Sequence, residues 1–305
     1  MIDPQAQTVL NMLRAAPPLN ELGVEKARAL AAEFAPPPHP DSPDVVVTDD
    51  SAGRVGVRIY RPRAAEPSHS PVIVYIHSGG WILGDLDGAD ATCLELASSS
   101  ALPVISVDYR LSPEAQYPQP LEDCVEVLQW LGQQHNELGF DPHRICVAGE
   151  SSGGNLAAAT CIRAQQLKID IAFALLVCPV IDSAMASESW NEFGTSLWPP
   201  ASQLSWMWDL YAGSNEVRTG DPLVNLSLPS ATARLPQTLI LTAEYDPLRD
   251  EAEQYGRQLS EGGTTTEVRR IPGQIHGFFG LIDSVDSSRT ALRDAAATVA
   301  AALQR

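Results

Sequence analysis

The strongest constraint on the fold is an alternation, from residue 45 onwards, of short β-branched runs with stretches of helical periodicity. Such alternation is typical of a mostly parallel sheet with helices packed on both faces. Eight runs fit as strands, namely 45–48, 55–60, 72–77, 104–108, 145–149, 172–178, 238–241 and 266–271. The pattern therefore predicts an α/β fold built on an eight-stranded sheet.

The connections between these runs predict the edge of the sheet and several helices. Residues 49–54 are too few for a parallel crossover, so the first two strands are expected to form an antiparallel hairpin at one edge. Leu121, Val125, Leu128 and Leu131 recur at helical spacing, and the segment 140–142 is expected to act as a stop before the next strand. Further helices are predicted to start at Ser151, to follow Pro247 and to fill 291–303.

Charge and hydropathy exclude two classes of partner. The chain carries 20 basic and 38 acidic residues, a formal net charge of −18, and no local cluster of Lys or Arg. Negative charge repels phosphate backbones and anionic lipid surfaces, so no nucleic-acid partner is expected. The longest apolar run, 169–181, is interrupted by Asp170 and Pro179 and is shorter than the ~18–20 residues of a spanning helix, so no membrane insertion is expected.

The N-terminal sequence and the cysteine pattern predict the cellular compartment of the protein. Residues 1–5 lack the basic and then apolar layout of a secretory signal, which predicts a cytoplasmic protein. The five cysteines are widely spaced and lie in apolar or helical stretches. They are interpreted as small buried hydrophobic residues in a reducing compartment, because their number is odd and their spacing fits neither a disulfide framework nor a metal site.

Two segments do not fit the alternation. Residues 1–44 read as an amphipathic helix followed by a proline-rich linker at 36–40. Residues 184–225 are rich in tryptophan and contain an aromatic cluster of Trp190, Trp198, Trp206, Trp208 and Tyr211. Both segments are expected to lie on top of the sheet. Two interpretations of the aromatic cluster remain open, because aromatic rings dominate pocket walls and packing alike. The residues predicted to line a substrate pocket are Trp81, Trp206, Trp208 and Tyr211; the alternative is that the cluster only attaches its segment to the sheet.

The sequence GESSGG at 149–154 lies between a predicted strand and a predicted helix. This context makes it a nucleophile elbow, in which a tight turn lifts the Ser151 hydroxyl clear of the backbone and the flanking positions must be small. The N-terminus of the following helix directs free N–H groups towards any oxyanion that forms there. Ser151 is therefore predicted to be a nucleophile.

A serine hydroxyl needs a histidine to accept its proton and a carboxylate to orient that histidine, and both should follow the elbow in the chain. Of the six histidines only His276 lies after Ser151. The carboxylate is expected just beyond a strand end, where 244–251 offers several, and Asp246 is chosen. Asp246 also fits an N-cap of the next helix, and the two roles are compatible because a carboxylate has two oxygens.

A tetrahedral intermediate also needs hydrogen-bond donors. The third predicted strand ends in HSGGW at 77–81, where glycines let backbone N–H groups approach a substrate oxygen. The N–H groups of Gly79, Gly80 and Ser152 are predicted to form the oxyanion hole.

With these motifs in place the chain resembles the hormone-sensitive-lipase-like (family IV) carboxylesterases of the α/β-hydrolase fold. The resemblance covers nearly the whole chain and rests on HSGGW at 77–81, DYRLSPE at 108–114, the elbow serine, DPLRDE at 246–251 and IHGF at 275–278. The sequence departs from the family pattern at Ser78, which replaces a glycine, and at Glu150 and Ser152, which replace Asp and Ala. The segment 108–114 is interpreted as a structural loop that holds the oxyanion region.

The resemblance implies an α/β-hydrolase with a mostly parallel eight-stranded sheet and a helical cap. Residues 1–44 and 184–225 would form the cap, and residues 45–183 and 226–305 the catalytic domain. The implied function is a serine carboxylesterase that hydrolyses short-chain carboxylic esters through an acyl-enzyme, without cofactor or metal. Two alternatives remain open at this point: an amidase or peptidase with the same triad, and a non-catalytic ligand-binding receptor of the same fold. The expected partner is a small ester, and dimers are common in this family, which suggests a homodimer.

Overall fold

The computed structural model describes residues 1–34, 44–66, 68–229 and 235–304, and within them lies one sheet of eight strands. The strands are β1 (Val45–Ala52), β2 (Val55–Pro62), β3 (Ser70–Ile76), β4 (Val104–Asp108), β5 (Phe140–Glu150), β6 (Phe173–Val177), β7 (Gln237–Tyr245) and β8 (Thr266–Ile275). Their order across the sheet is β1-β2-β4-β3-β5-β6-β7-β8. The predicted hairpin is confirmed, because β1 and β2 pair antiparallel at one edge.

The remaining pairings make the sheet mostly parallel. Strand β2 also pairs antiparallel with β4, and every pairing from β4 to β8 is parallel. Parallel strands end at the same edge of a sheet, so the loops that follow β3, β5, β6, β7 and β8 gather there. The motifs that carry chemistry in the sequence all belong to these loops.

Helices connect the strands. In the described residues they are α1 (Pro4–Ala15), α2 (Leu19–Leu22), α3 (Val24–Phe34), α4 (Asp90–Ser100), α5 (Gln119–Leu138), α6 (Ser152–Leu167), α7 (Glu188–Phe193), α8 (Ala201–Ala212), α9 (Asn215–Gly220), α10 (Arg249–Glu261) and α11 (Asp286–Leu303). Helices α4 and α11 cover one face of the sheet, while α5, α6 and α10 cover the other. Strand β3 alternates accordingly: Val74 faces one core and Tyr75 the other.

The structure corrects three local expectations. Strand β5 begins at Phe140 because the segment 140–144 continues beside β3 through an irregular register, and an irregular stretch tolerates Pro142. Strand β8 extends to Ile275 and so leads directly into His276. Helix α4 was not predicted, because it is buried on several sides and rich in Thr, Cys and Ser, which leaves no clear amphipathic period.

The two segments outside the alternation form helices at the edge that carries the chemistry. Residues 4–34 form α1, α2 and α3 rather than one helix, and the tryptophan-rich segment forms α7, α8 and α9. Helix α1 packs through Leu10 against Phe193, Leu197 and Ile275, and α2 packs against α8. The predicted linker at 36–40 lies outside the described residues, and the division into cap and catalytic domain stays a prediction.

Arg28 attaches the N-terminal helices to the loop that follows β3. Its guanidinium makes a two-pronged ion pair with Glu114 at 2.8 Å and donates to the backbone carbonyls of Ile82 and Ser112, each at 2.9 Å. The amide of Ser112 donates in turn to the carbonyl of Trp81 at 2.9 Å. These bonds place the segment 108–114 where the sequence interpretation puts it, against the loop at 77–83.

All five cysteines are free and buried, as predicted. In the described part of the chain no helix has the length and apolar character needed to cross a membrane.

Candidate active site

The elbow forms where β5 meets α6. Ser151 lies between the last residue of the strand and the first of the helix, with φ of 56° and ψ of −119°. A non-glycine residue with positive φ is strained, and such strain persists only where the surroundings fix it. The Ser151 amide donates to the carbonyl of Val177 at 2.8 Å, and the Ser151 carbonyl accepts from the amide of Val180 at 3.1 Å. Strand β6 and the loop after it therefore hold the turn.

The small residues around Ser151 are required by close backbone contacts. A Cβ atom on Gly149 would lie 2.2 Å from the carbonyl oxygen of Gly153, and one on Gly153 would lie 2.1 Å from that of Ile76. Any side chain at either position would force the helix away from the strand. The sequence spacing G-x-S-x-G is thus explained by packing as well as by exposure of the hydroxyl.

The three predicted triad residues lie in one hydrogen-bonded line. His276 Nε2 is 2.9 Å from Ser151 Oγ, and His276 Nδ1 is 2.8 Å from Asp246 Oδ2. All three side chains are buried. Asp246 Oδ1 also accepts from the amide of Leu248 at 2.9 Å, so the carboxylate both fixes the turn before α10 and faces the imidazole. The contact with His276 fits the orienting role predicted for Asp246, whereas the predicted N-cap role is wrong, because Leu248 is the N-cap of α10 and Asp246 lies in the turn before it.

The other carboxylates near Asp246 have different partners. Asp250 accepts from the amide of Ser189 at 2.8 Å and pairs with Arg249, while Glu244 accepts from the amide of Gly273. Glu251 accepts from the indole of Trp190 and the amide of Ile181, and burial raises its pKa to about 8. Asp246 is the carboxylate of the 244–251 segment that contacts His276.

Two acidic groups raise the pKa of His276. Burial lowers it, but the charge and hydrogen bond of Asp246 and the charge of Glu150 outweigh that effect, so the net pKa lies above 6.5. Glu150 is itself buried and accepts from the amide of Phe279 at 2.9 Å, which connects the elbow to the segment after His276. Burial raises the pKa of Glu150 to about 7, against the opposing effect of His276.

These shifts predict the pH dependence of activity. Protonated His276 cannot accept a proton from Ser151, so activity should fall as the pH drops through its pKa, with the midpoint of the acid limb of kcat/KM above 6.5. Glu150, with a pKa of about 7, is partly ionised in this pH range, so Glu150→Gln removes a partial negative charge and should move the midpoint to lower pH. Asp170→Asn is the matched control, because Asp170 pairs with the exposed His143. A rate that stays flat from acidic to neutral pH would contradict the role of His276.

Backbone N–H groups without an acceptor lie near Ser151. Within the described residues, no acceptor bonds the N–H groups of Gly79, Gly80 or Ser152. Gly79 and Gly80, with φ of 123° and 62°, line the cavity above Ser151. The amide of Ser152 belongs to the first turn of α6, at the positive end of that helix. The side chain of Ser152 is buried and is not part of the cavity lining.

Buried contacts fix the loop that carries these glycines. His77 donates from Nδ1 to the carbonyl of Ser78 at 2.8 Å and stacks on Tyr109 with ring centroids 4.2 Å apart. The Tyr109 hydroxyl donates to the carbonyl of His77 at 3.0 Å. Burial lowers the pKa of His77 to about 4, so the ring is neutral and supports the loop.

The cavity above Ser151 has a volume of about 130 Å³. Besides Ser151, His276 and Gly277, its lining residues are Ser78, Gly79, Gly80, Leu83, Trp198, Pro199, Leu204 and Met207. The departure at Ser78 therefore puts a hydroxyl-bearing residue on the wall of the cavity.

The four predicted pocket aromatics do not line this cavity. Trp81, Trp208 and Tyr211 are buried in the core, where the Trp81 ring lies 4.5 Å from the centroids of both others. Trp206 is partly buried against the same core. The interpretation that the cluster attaches its segment to the sheet holds for these rings. On α8, Leu204, Met207, Trp208 and Tyr211 share one helical face, and sequence spacing alone cannot show where that face passes from the core to the cavity.

One group in the described residues could in principle ligate a metal ion. It consists of Cys178, Asp246 and His276. Asp246 Oδ2 and His276 Nδ1 already face each other at hydrogen-bonding distance. Burial and the nearby carboxylates raise the pKa of the Cys178 thiol, which opposes the thiolate that a metal needs. The donor set therefore fits a hydrogen-bonded acid-base pair better than a metal centre.

Comparison with known proteins shows which family this chain belongs to. A family model described as alpha/beta hydrolase fold matches residues 73–280. The chain belongs to this family. Its relatives include an ethyl acetate hydrolase of Pseudomonas putida, 33% identical over 257 residues that span 83% of this chain and 80% of the relative. The esterase LipI of Mycobacterium tuberculosis is 34% identical over 277 residues, which span 88% and 85% of the two chains.

A solved structure extends the likeness to the whole chain. The crystal structure of a thermostable esterase from Pseudomonas putida has a TM-score of 0.91 and 29% identity, and the match covers 100% of this chain and 98% of that one. The predicted resemblance to the hormone-sensitive-lipase-like carboxylesterases is thereby confirmed. The chain is a carboxylic ester hydrolase of the α/β-hydrolase family, which sets aside the receptor alternative.

Proposed function

We propose that Ser151, His276 and Asp246 hydrolyse short-chain carboxylic esters through an acyl-enzyme intermediate. The observation that carries the proposal is the unbroken hydrogen-bonded line from Ser151 Oγ through the imidazole to Asp246 Oδ2. Asp246 holds the proton of His276 on Nδ1, which leaves Nε2 free to accept the proton of the Ser151 hydroxyl. Ser151 Oγ then attacks the carbonyl carbon of the ester.

Charge that develops on the carbonyl oxygen needs donors that are already in place. We assign this role to the amides of Gly79, Gly80 and Ser152, which have no other acceptor among the described residues. Each such donor typically contributes about 10² to 10³ in kcat. His276 then delivers its Nε2 proton to the leaving alkoxide, and the alcohol departs.

Deacylation repeats these steps with water. His276 Nε2 removes a proton from water, the resulting hydroxide attacks the acyl carbon, and the proton returns to Ser151 Oγ as the carboxylic acid leaves. The mechanism needs neither a metal ion nor an organic cofactor.

The size of the cavity supports short-chain substrates. A volume of about 130 Å³ is well below the ~300 Å³ at which drug-sized ligand pockets begin. Helices α1, α2, α7 and α8 lie over this edge, and we propose that they act as the cap that closes it. The name of the ethyl acetate hydrolase relative agrees with this substrate class.

The proposal predicts a chain-length profile. With p-nitrophenyl esters from acetate to palmitate, kcat/KM should be highest for short acyl chains and fall by about 10- to 100-fold once the chain exceeds the cavity, since forcing extra groups into a packed site costs about 1–3 kcal/mol. Steady-state rates at matched ester concentrations measure this directly. A profile that rises towards palmitate would reject the short-chain assignment.

A further inference from the structure

A second cleft, of about 160 Å³, lies next to the catalytic cavity. Its lining includes Leu13, Pro18, Thr195, Trp198 and Gln203. They come from the end of α1, the segment before α2, the loop between α7 and α8, and the first turn of α8. The cleft is therefore built between the two segments that we propose to form the cap.

The two spaces share one wall. Trp198 lines both the catalytic cavity and the cleft, whereas Pro199 lines only the former and Pro200 only the latter. The Trp198 ring packs against the small apolar cluster that includes Leu10, Phe193 and Leu197. Trp198 thus packs against α1 and the start of its own loop, and it is the residue that the linings of the two spaces have in common.

One residue of the cleft lining carries a buried acceptor without a partner. Gln203 is only 4% exposed, and its Oε1 has no hydrogen-bond partner among the described residues. The lining of the cleft is mixed, with Arg14, Thr195 and Gln203 beside Leu13 and Leu197.

We propose that the indole of Trp198 sets the upper limit of substrate chain length by closing the catalytic cavity off from this cleft. The proposal rests on the short-chain ester hydrolysis argued above. With the indole in place, a chain on the substrate ends at Trp198. Without it, the chain can continue into a space slightly larger than the catalytic cavity itself.

The test compares Trp198→Ala with Trp206→Ala. Trp206 is a partly buried indole of the same region that lines neither space, so it controls for the loss of a large ring. We expect Trp198→Ala to raise kcat/KM for p-nitrophenyl octanoate relative to acetate by about 10-fold or more, because even one further accommodated methylene is worth about 10-fold. Trp206→Ala should leave this ratio unchanged.

A second variant refills the cleft. Thr195 lines the cleft and is exposed, so Thr195→Phe in the Trp198→Ala background should fill the new space and return the octanoate-to-acetate ratio towards that of the parent enzyme. Trp198→Leu removes less of the packing with Leu10 and should show the same direction of change if the alanine variant fails to fold.

The outcomes distinguish the role of Trp198 from the proposed function. If Trp198→Ala and Trp198→Leu hydrolyse acetate normally and keep the parent ratio, the role of Trp198 is wrong while the proposed function stands. If the parent enzyme itself does not prefer short esters, the proposed function fails first. Equal shifts from Trp198→Ala and Trp206→Ala would show general loosening of the cap and would overturn the specific role of Trp198.

Discussion

Ser151→Ala is expected to lower ester hydrolysis by roughly 10⁴- to 10⁶-fold, to near the background rate. The change removes the hydroxyl that lies 2.9 Å from His276 Nε2 and that can form an acyl bond. Losses of this size follow when the nucleophile of a serine triad is removed, because the remaining groups then act without it.

The fold should survive this substitution. Both serine and alanine have a Cβ, so the strain at φ of 56° is the same in both, and the amide and carbonyl bonds to Val177 and Val180 are retained. Among the described residues, the hydroxyl itself bonds to His276 alone. Thermal unfolding of the variant should therefore stay close to that of the parent protein.

Ser152→Ala is the matched control for the nucleophile. It deletes the same hydroxyl one residue later but keeps the backbone N–H that we assign to the oxyanion hole. Hydrolysis of p-nitrophenyl acetate, with a burst of p-nitrophenol in the parent enzyme, measures both variants. Substantial activity in Ser151→Ala, or a comparable collapse in Ser152→Ala, would show that the nucleophile is assigned to the wrong residue.

The sequence predicted the site well where chemistry depends on local spacing. The elbow follows from G-x-S-x-G between a strand and a helix, because a Cβ on Gly149 would meet the Gly153 carbonyl within the turn and a Cβ on Gly153 would meet the Ile76 carbonyl of β3. His276 and Asp246 follow from chain order and from the strands that precede them. Parallel strands bring their ends to one edge, so residues 125 positions apart can meet at 2.9 Å.

The sequence failed where the answer depends on tertiary packing. The aromatic residues of α8 share a helical stripe, but whether a ring joins the core or the cavity depends on how α8 lies against the loop at 77–83. Trp81 and Tyr211 stack in the core, whereas Met207 from the same stripe reaches the cavity. The contact between Glu150 and Phe279 was likewise invisible, because it joins elements 129 residues apart.

Asp246→Asn is expected to lower kcat by roughly 10⁴-fold, the cost of the corresponding change in serine proteases. The hydrogen bonds of Asp246 explain this loss. The amide of Leu248 donates to Oδ1 of Asp246, so the asparagine must keep its carbonyl oxygen there and turn its NH₂ group towards His276. That NH₂ donates to Nδ1, which moves the imidazole proton to Nε2, where it faces Ser151 and blocks proton transfer.

Asp250→Asn is the control for this change, because it removes the same charge four residues along the chain. Asp250 contacts the amide of Ser189 and the side chain of Arg249, and neither touches the imidazole. Its loss should lower stability modestly and leave kcat within a few-fold of the parent value. Steady-state kinetics with p-nitrophenyl butyrate, together with thermal unfolding, separates the two effects.

The pH profile then distinguishes a catalytic from a structural role for Asp246. The charge of Asp246 raises the pKa of His276, so residual activity in Asp246→Asn should show its acid limb at lower pH than the parent enzyme. A variant that had merely lost its local fold would lose rate without this displacement. If Asp250→Asn shows the larger loss of kcat and displaces the limb, the orienting carboxylate belongs to α10, and the assignment of Asp246 is wrong.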